Sequence, residues 1–166
     1  MLSVGGPQSA AALEGNGGLE IGGVLAGAPP HLAVSPHLSL GVRSESGCCT
    51  LSVEDTVSIL IANNRDGVGI HDRIAVLGGY VSGDWGVQIG PAVSLFSMPV
   101  CNAAAWCGRV SGISIGAHVQ ASYYFFGPLG LSLSGSGDWI AGRNLLLPSG
   151  FTGTIAMGPI LRWAVR

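Results

Sequence analysis

The chain has 166 residues and a net charge of −2, with 48% hydrophobic residues, 10% charged residues, 28 glycines and no lysine. Its mean hydropathy is +0.51. This composition excludes disorder, which goes with low hydrophobicity and high charge. It also excludes a nucleic-acid partner, because no basic patch is present to meet phosphates.

The length fits one domain, but a water-exposed surface normally carries about 25–35% charged residues. Met1 to Gly18, "MLSVGGPQSAAALEGNGG", lacks the basic start and long apolar centre of a secretory leader. Residues 1–17 are therefore expected to be a flexible segment, or a linker from an upstream domain, with 18–166 forming the folded unit. The longest uncharged run, Val110 to Gly137, is long enough for a membrane helix. It is interrupted throughout by Ser, Gly, His, Gln and Pro, and its period is two, so it reads as strands.

Eight alternating segments follow one another. The first is Gly18–Ala28. The second, His31–Arg43, sets Leu32, Val34, Leu38, Leu40 and Val42 against Ser35, His37, Ser39 and Arg43. The third, Cys49–Asn63, has Leu51, Val53, Val57, Ile59 and Ile61 on one face, and Asp55 interrupts it, which predicts a bulge. The fourth, Arg73–Ser82, is short. The fifth is Trp85–Ser97. The sixth, Ile113–Phe125, sets Ile113, Ile115, Val119, Tyr123 and Phe125 against Ser114, His118, Gln120 and Tyr124. The seventh is Leu129–Ile140, and the eighth, Phe151–Val165, alternates in the same way. No helix-period segment competes.

The connections alternate as well. Ser82–Asp84 and Phe126–Pro128 are tight, and Ser44–Gly47 is slightly longer. Residues 64–72, 98–109 and 141–150 form long loops, and Pro29–Pro30 is the exception to the rhythm. In an up-and-down barrel this puts every long loop at one end, as in outer-membrane barrels.

Two barrels fit eight such strands: a soluble one with its apolar face inward, or a transmembrane one with that face toward lipid. The polar face is mostly Gly, Ser, Ala and Thr, which suits a narrow lumen better than a water-facing surface. The aromatics of the apolar face fall at strand ends, with Tyr80, Trp85, Tyr123, Phe125 and Trp163 at the short-turn end and Trp139 and Phe151 at the long-loop end. Two such bands are the pattern of an aromatic girdle. The expected fold is thus all-β, an eight-stranded antiparallel up-and-down transmembrane β-barrel.

In that register Glu20, His37, Arg43, Glu54, Gln88, His118, Gln120, Asp138 and Arg162 point into the lumen. Buried charges require partners, and Glu20 is expected to pair with Arg162, with Arg43 close by. The plain reading is that this network fills and rigidifies the barrel.

Cys101 and Cys107 bracket "CNAAAWC" and are expected to form a disulfide in an oxidising compartment. Cys48 and Cys49 are adjacent at the other end, and their state is open. The four histidines lack the convergent spacing of a metal site, so no metal, cofactor or catalytic residue is assigned.

At this point the chain resembles the small eight-stranded outer-membrane barrels, the OmpA-transmembrane and OmpX-like group, over about residues 18–166. The resemblance rests on the alternating strands, the girdle positions, the loop asymmetry and the filled polar lumen. One departure is the ending "LRWAVR", because such barrels typically finish on an aromatic residue. The resemblance implies residence in the outer membrane of a Gram-negative bacterium, with the lipid bilayer as a partner. It also implies a structural or interaction role through loops 64–72, 98–109 and 141–150, engaging a surface or envelope protein. Two alternatives stand beside it: a soluble barrel holding a lipophilic ligand in an apolar interior, and a lipid-modifying enzyme using His118 or His37.

Overall fold

The computed structural model describes residues 12–25, 31–44, 49–61, 67–101, 107–140 and 150–164, and of residues 100, 101 and 107 the backbone alone. Eight strands run β1 (Ala12–Leu25), β2 (His31–Arg43), β3 (Cys49–Ile61), β4 (Val68–Ser82), β5 (Trp85–Cys101), β6 (Cys107–Phe126), β7 (Leu129–Ile140) and β8 (Phe151–Ala164). Each pairs antiparallel with its sequence neighbours, and β8 closes on β1, giving a closed barrel. Closure leaves no edge strand unpaired.

The register fixes the geometry. Perpendicular partners lead from Thr50 to Gly79, Gln88, Gln120, Ser134, Ala156, Gly22, Ala33 and back to β3 at Leu60. One circuit therefore climbs ten residues along β3. With about 3.3 Å per residue and about 4.8 Å between strands, eight strands with that stagger tilt by about 41°. The backbone radius is then about 8 Å, and each residue advances about 2.5 Å along the axis. So narrow a barrel has room inside for side chains and at most one small ligand.

The strands differ from the sequence expectations at their ends. β1 begins at Ala12 rather than Gly18, so Ala12–Gly17 belong to the barrel and not to the N-terminal segment. Glycines obscured this: Gly15 and Gly17 occupy outward positions where no apolar side chain reveals the period. β4 begins at Val68, not Arg73, because Val68 and Ile70 continue the outward face while Gly69 and His71 continue the inward one. Met98–Cys101 and Cys107–Arg109 extend β5 and β6, which shortens the expected loops. Asp55 causes no bulge, since both its partners, Leu38 and Ile74, lie in unbroken register. Gly83 (φ 57°) and Gly127 (φ 55°) turn the tight hairpins β4–β5 and β6–β7, in a backbone region that glycine enters without strain.

Candidate functional site: a plugged lumen inside an apolar belt

The outer surface carries the apolar set. Ile113, Ile115, Val119, Tyr123 and Phe125 of β6 are exposed, as are the corresponding Leu, Ile and Val residues of all the other strands. Soluble monomers rarely expose so large a continuous apolar surface, which marks a membrane or protein contact.

The strand lattice gives its height. Tyr80, Trp85, Tyr123, Phe125 and Trp163 fall within about 5 Å of one level, and Trp139 and Phe151 lie about 27 Å above it. An outer-membrane barrel's apolar band is about 25 Å tall and flanked by aromatic girdles. Six of these seven rings are exposed. Trp163 is half-buried because its indole lies over Gly15, where a Cβ would come within 2.5 Å of it.

Two carboxyls interrupt the belt. Asp55 and Asp72 both occupy outward positions, within hydrogen-bonding reach of each other. Asp55 sits about midway between the two girdle levels on the lattice, and Asp72 about 8 Å higher.

The lumen has three layers. Its outer end is apolar: Val24, Ala33, Leu60, Phe96, Met98, Val110 and Ile140 point inward and form one buried cluster. This plug departs from the polar lumen expected from the sequence, because at these strand ends both faces are apolar.

The middle layer is a charged network. His118 Nε2 lies 3.0 Å from Glu54 Oε1, and Thr56 donates to the same carboxylate at 3.2 Å. Arg73 Nη1 lies 3.5 Å from His118 Nδ1, and Arg73 Nη2 bonds Asp138 Oδ2 at 2.9 Å. Ser136 donates to Asp138 at 3.0 Å and meets Thr154 at 2.8 Å. Glu54, His118, Arg73 and Asp138 are all at most 3% exposed. The chain of contacts runs β3–β6–β4–β7–β8 and so ties strands across the lumen, not merely along the sheet. Arg73, its centre, was missed because β4 was expected to start there. Its parity with the inward Ala75 and Leu77 was the available signal. His37 and Gln120 are buried in the same layer.

Glu20 does not pair with Arg162. It accepts hydrogen bonds from Ser132, at 2.6 Å, and from Ser134. The register sets Arg162 opposite Asn16, four residues from Glu20 along β1. There its guanidinium lies 4.2 Å from the centre of the Tyr124 ring. Arg43 reaches Glu14 at 3.5 Å.

Glu14, Asn16, Arg43, Tyr124 and Arg162 line the third layer, a vestibule at the short-turn end. Gln88 also belongs to it and donates to Thr50 at 2.7 Å and Ser52 at 3.1 Å.

The structure speaks against the soluble alternative raised by the sequence: the apolar face points outward, and among the described residues the middle of the lumen is charged. His118 and His37 are buried inside the barrel.

Cys101 and Cys107 are paired Cα partners, but their side chains lie outside the described residues, and no disulfide is found among the described ones. Cys48 also lies outside them, and Cys49 is exposed. Of the three expected loops, residues 64–66, 102–106 and 141–149 lie outside the described residues as well.

No protein-family model matches the chain, and no curated protein matches it. Solved structures do. The chain is similar to Neisserial surface protein A (14% identity, TM-score 0.58), covering 93% of this chain and 99% of that one. It is similar to the N-terminal β-barrel domain of Pseudomonas aeruginosa OprF (10% identity, TM-score 0.60; 93% and 100% covered). It is also similar to Ail, the attachment invasion locus protein of Yersinia pestis, solved with the heparin analogue sucrose octasulfate (9% identity, TM-score 0.55; 92% and 99% covered). At these identities the likeness establishes the fold: a closed eight-stranded antiparallel barrel of the kind built by small outer-membrane proteins.

Proposed function

We propose that the protein is a non-conducting outer-membrane barrel of a Gram-negative bacterium, anchored by its apolar belt and acting through the loops at its plugged end. The observation that carries this reading is the pairing of a belt of bilayer height with a lumen sealed by the buried cluster around Leu60, Phe96 and Met98. A belt facing lipid requires every backbone group to be satisfied, and among β-structures only a closed barrel does so. A plug and a network of bridging charges make a rigid body, and recognition on such bodies is usually carried by their loops. The partner is an envelope or surface component met by the connections β3–β4, β5–β6 and β7–β8.

The test combines two measurements on protein refolded in detergent. Unheated protein should migrate differently in SDS from boiled protein, and planar bilayers containing it should show no channel steps. Free solubility in plain buffer with no heat-dependent shift would refute the anchoring. Steady conductance would refute the scaffold role.

We also propose that Cys101 and Cys107 form a disulfide at the base of the β5–β6 loop. Directly opposed residues on antiparallel strands have Cα separations of about 4.5 or 5.5 Å, inside the range of roughly 4.4–6.8 Å that a disulfide spans.

A further inference from the structure

The vestibule at the short-turn end holds Arg162, a cation with no ion pair among the described residues. Arg162 and Arg43 both line a pocket at this end, together with Glu14, Asn16, Gln88 and Tyr124. A second, more open cavity shares Glu14, Arg43 and Arg162 and continues past Pro128 and Trp163. Among the described residues no carboxylate pairs with Arg162, and Glu14, which lines the same space, is bonded to Arg43. Its guanidinium rests on Tyr124, itself 5% exposed and hydrogen-bonded to Ser122. Arg162 Nη1 is buried with no acceptor, and so is the amide oxygen of its cross-strand neighbour Asn16. Ser39, 1% exposed and also lining the cavity, has a hydroxyl without a partner.

A half-buried guanidinium without an anion is costly, and stacking on an aromatic ring pre-orients its planar fork. That fork matches a carboxylate or phosphate edge. Of the described lining residues two arginines and one glutamate are charged, a balance that favours a single negative charge, and Glu14 repels a dianion. The apolar plug occupies the outer end, and the vestibule opens on the side of the short turns.

We infer that this vestibule binds a small monocarboxylate from the short-turn side of the barrel, held by Arg162 and bracketed by the hydroxyls and amides of Thr50, Ser52, Gln88 and Ser122.

The experiment titrates isotope-labelled protein in non-ionic micelles with four probes: acetate, N-acetyl-alanine, N-acetyl-alanine amide and inorganic phosphate. The Arg162 side-chain N–H resonance and a calorimetric isotherm are followed. The expected result is saturable binding of the carboxylates, no binding of the amide, and phosphate weaker than either carboxylate. N-acetyl-alanine tighter than acetate identifies a peptide terminus as the source, and equal affinity identifies a free small acid. Arg162→Gln should weaken binding at least ten-fold while keeping the heat-dependent mobility of the folded barrel. Arg162→Lys keeps the charge but loses the fork, and should fall between the two; it decides the matter if the glutamine variant fails to fold. Absence of saturable binding, phosphate binding tighter than carboxylate, or unchanged affinity in both variants (an adventitious ion only) would overturn the inference.

Discussion

Asp55→Leu and Asp138→Leu make the same chemical change on opposite faces of the wall, and the structure predicts opposite signs. Asp55 points outward about midway between the girdle levels, roughly 13 Å from each. A carboxyl there cannot reach either interface, and its neighbour Asp72 offsets only part of the cost. Acidic residues on the lipid face of a barrel cost somewhat less than the roughly 2–4 kcal/mol of a mid-plane arginine or lysine. Asp55→Leu should therefore stabilise the protein in phospholipid vesicles by about 1–3 kcal/mol. Asp138 is fully buried and bonds Arg73 at 2.9 Å. Removing it leaves a guanidinium uncompensated in the lumen, and Asp138→Leu should destabilise by about 3–5 kcal/mol. Reversible urea unfolding in vesicles, followed by tryptophan fluorescence, measures both. Destabilisation of Asp55→Leu by 1 kcal/mol or more, or a neutral Asp138→Leu, would refute the assignment of faces.

Arg73→Met, at the centre of the lumen network, should lose about 3–5 kcal/mol in the same assay, because Asp138 is then left unpaired. Gly15→Val should displace the Trp163 indole, costing about 1–3 kcal/mol and shifting the tryptophan emission; an unchanged spectrum would show that the ring does not lie there. Alkylation before and after reduction should label Cys101 and Cys107 only in reduced protein, and labelling without reductant would remove the proposed disulfide.

Much of this architecture was legible from a period of two. In Ile113–Phe125 the parity of His118 and Gln120 against Ile115 and Val119 is enough to separate inside from outside, and the girdle positions follow from counting back to the turns. What stayed hidden has physical causes. At Gly15 and Gly17 the face is filled by an indole from β8, a contact that no local pattern encodes. Asp72 looked like loop because charge is expected outside a membrane belt, yet it continues β4 on the lipid side. The plug was invisible because Phe96 and Met98 sit among apolar neighbours of both parities. The pairing of Glu20 with serines rather than with Arg162 depends on the shear of the barrel, which only closure determines.

The central claim is that the apolar set faces lipid. Val119 lies on that face, about midway between the girdle levels on the strand lattice. The direct test is Val119→Trp in a background with Trp85, Trp106, Trp139 and Trp163 changed to Phe, reconstituted with lipids brominated at shallow or deep acyl positions. The account predicts strong quenching, greatest with the deep bromines. A tryptophan at position 119 that no brominated lipid quenches would contradict it.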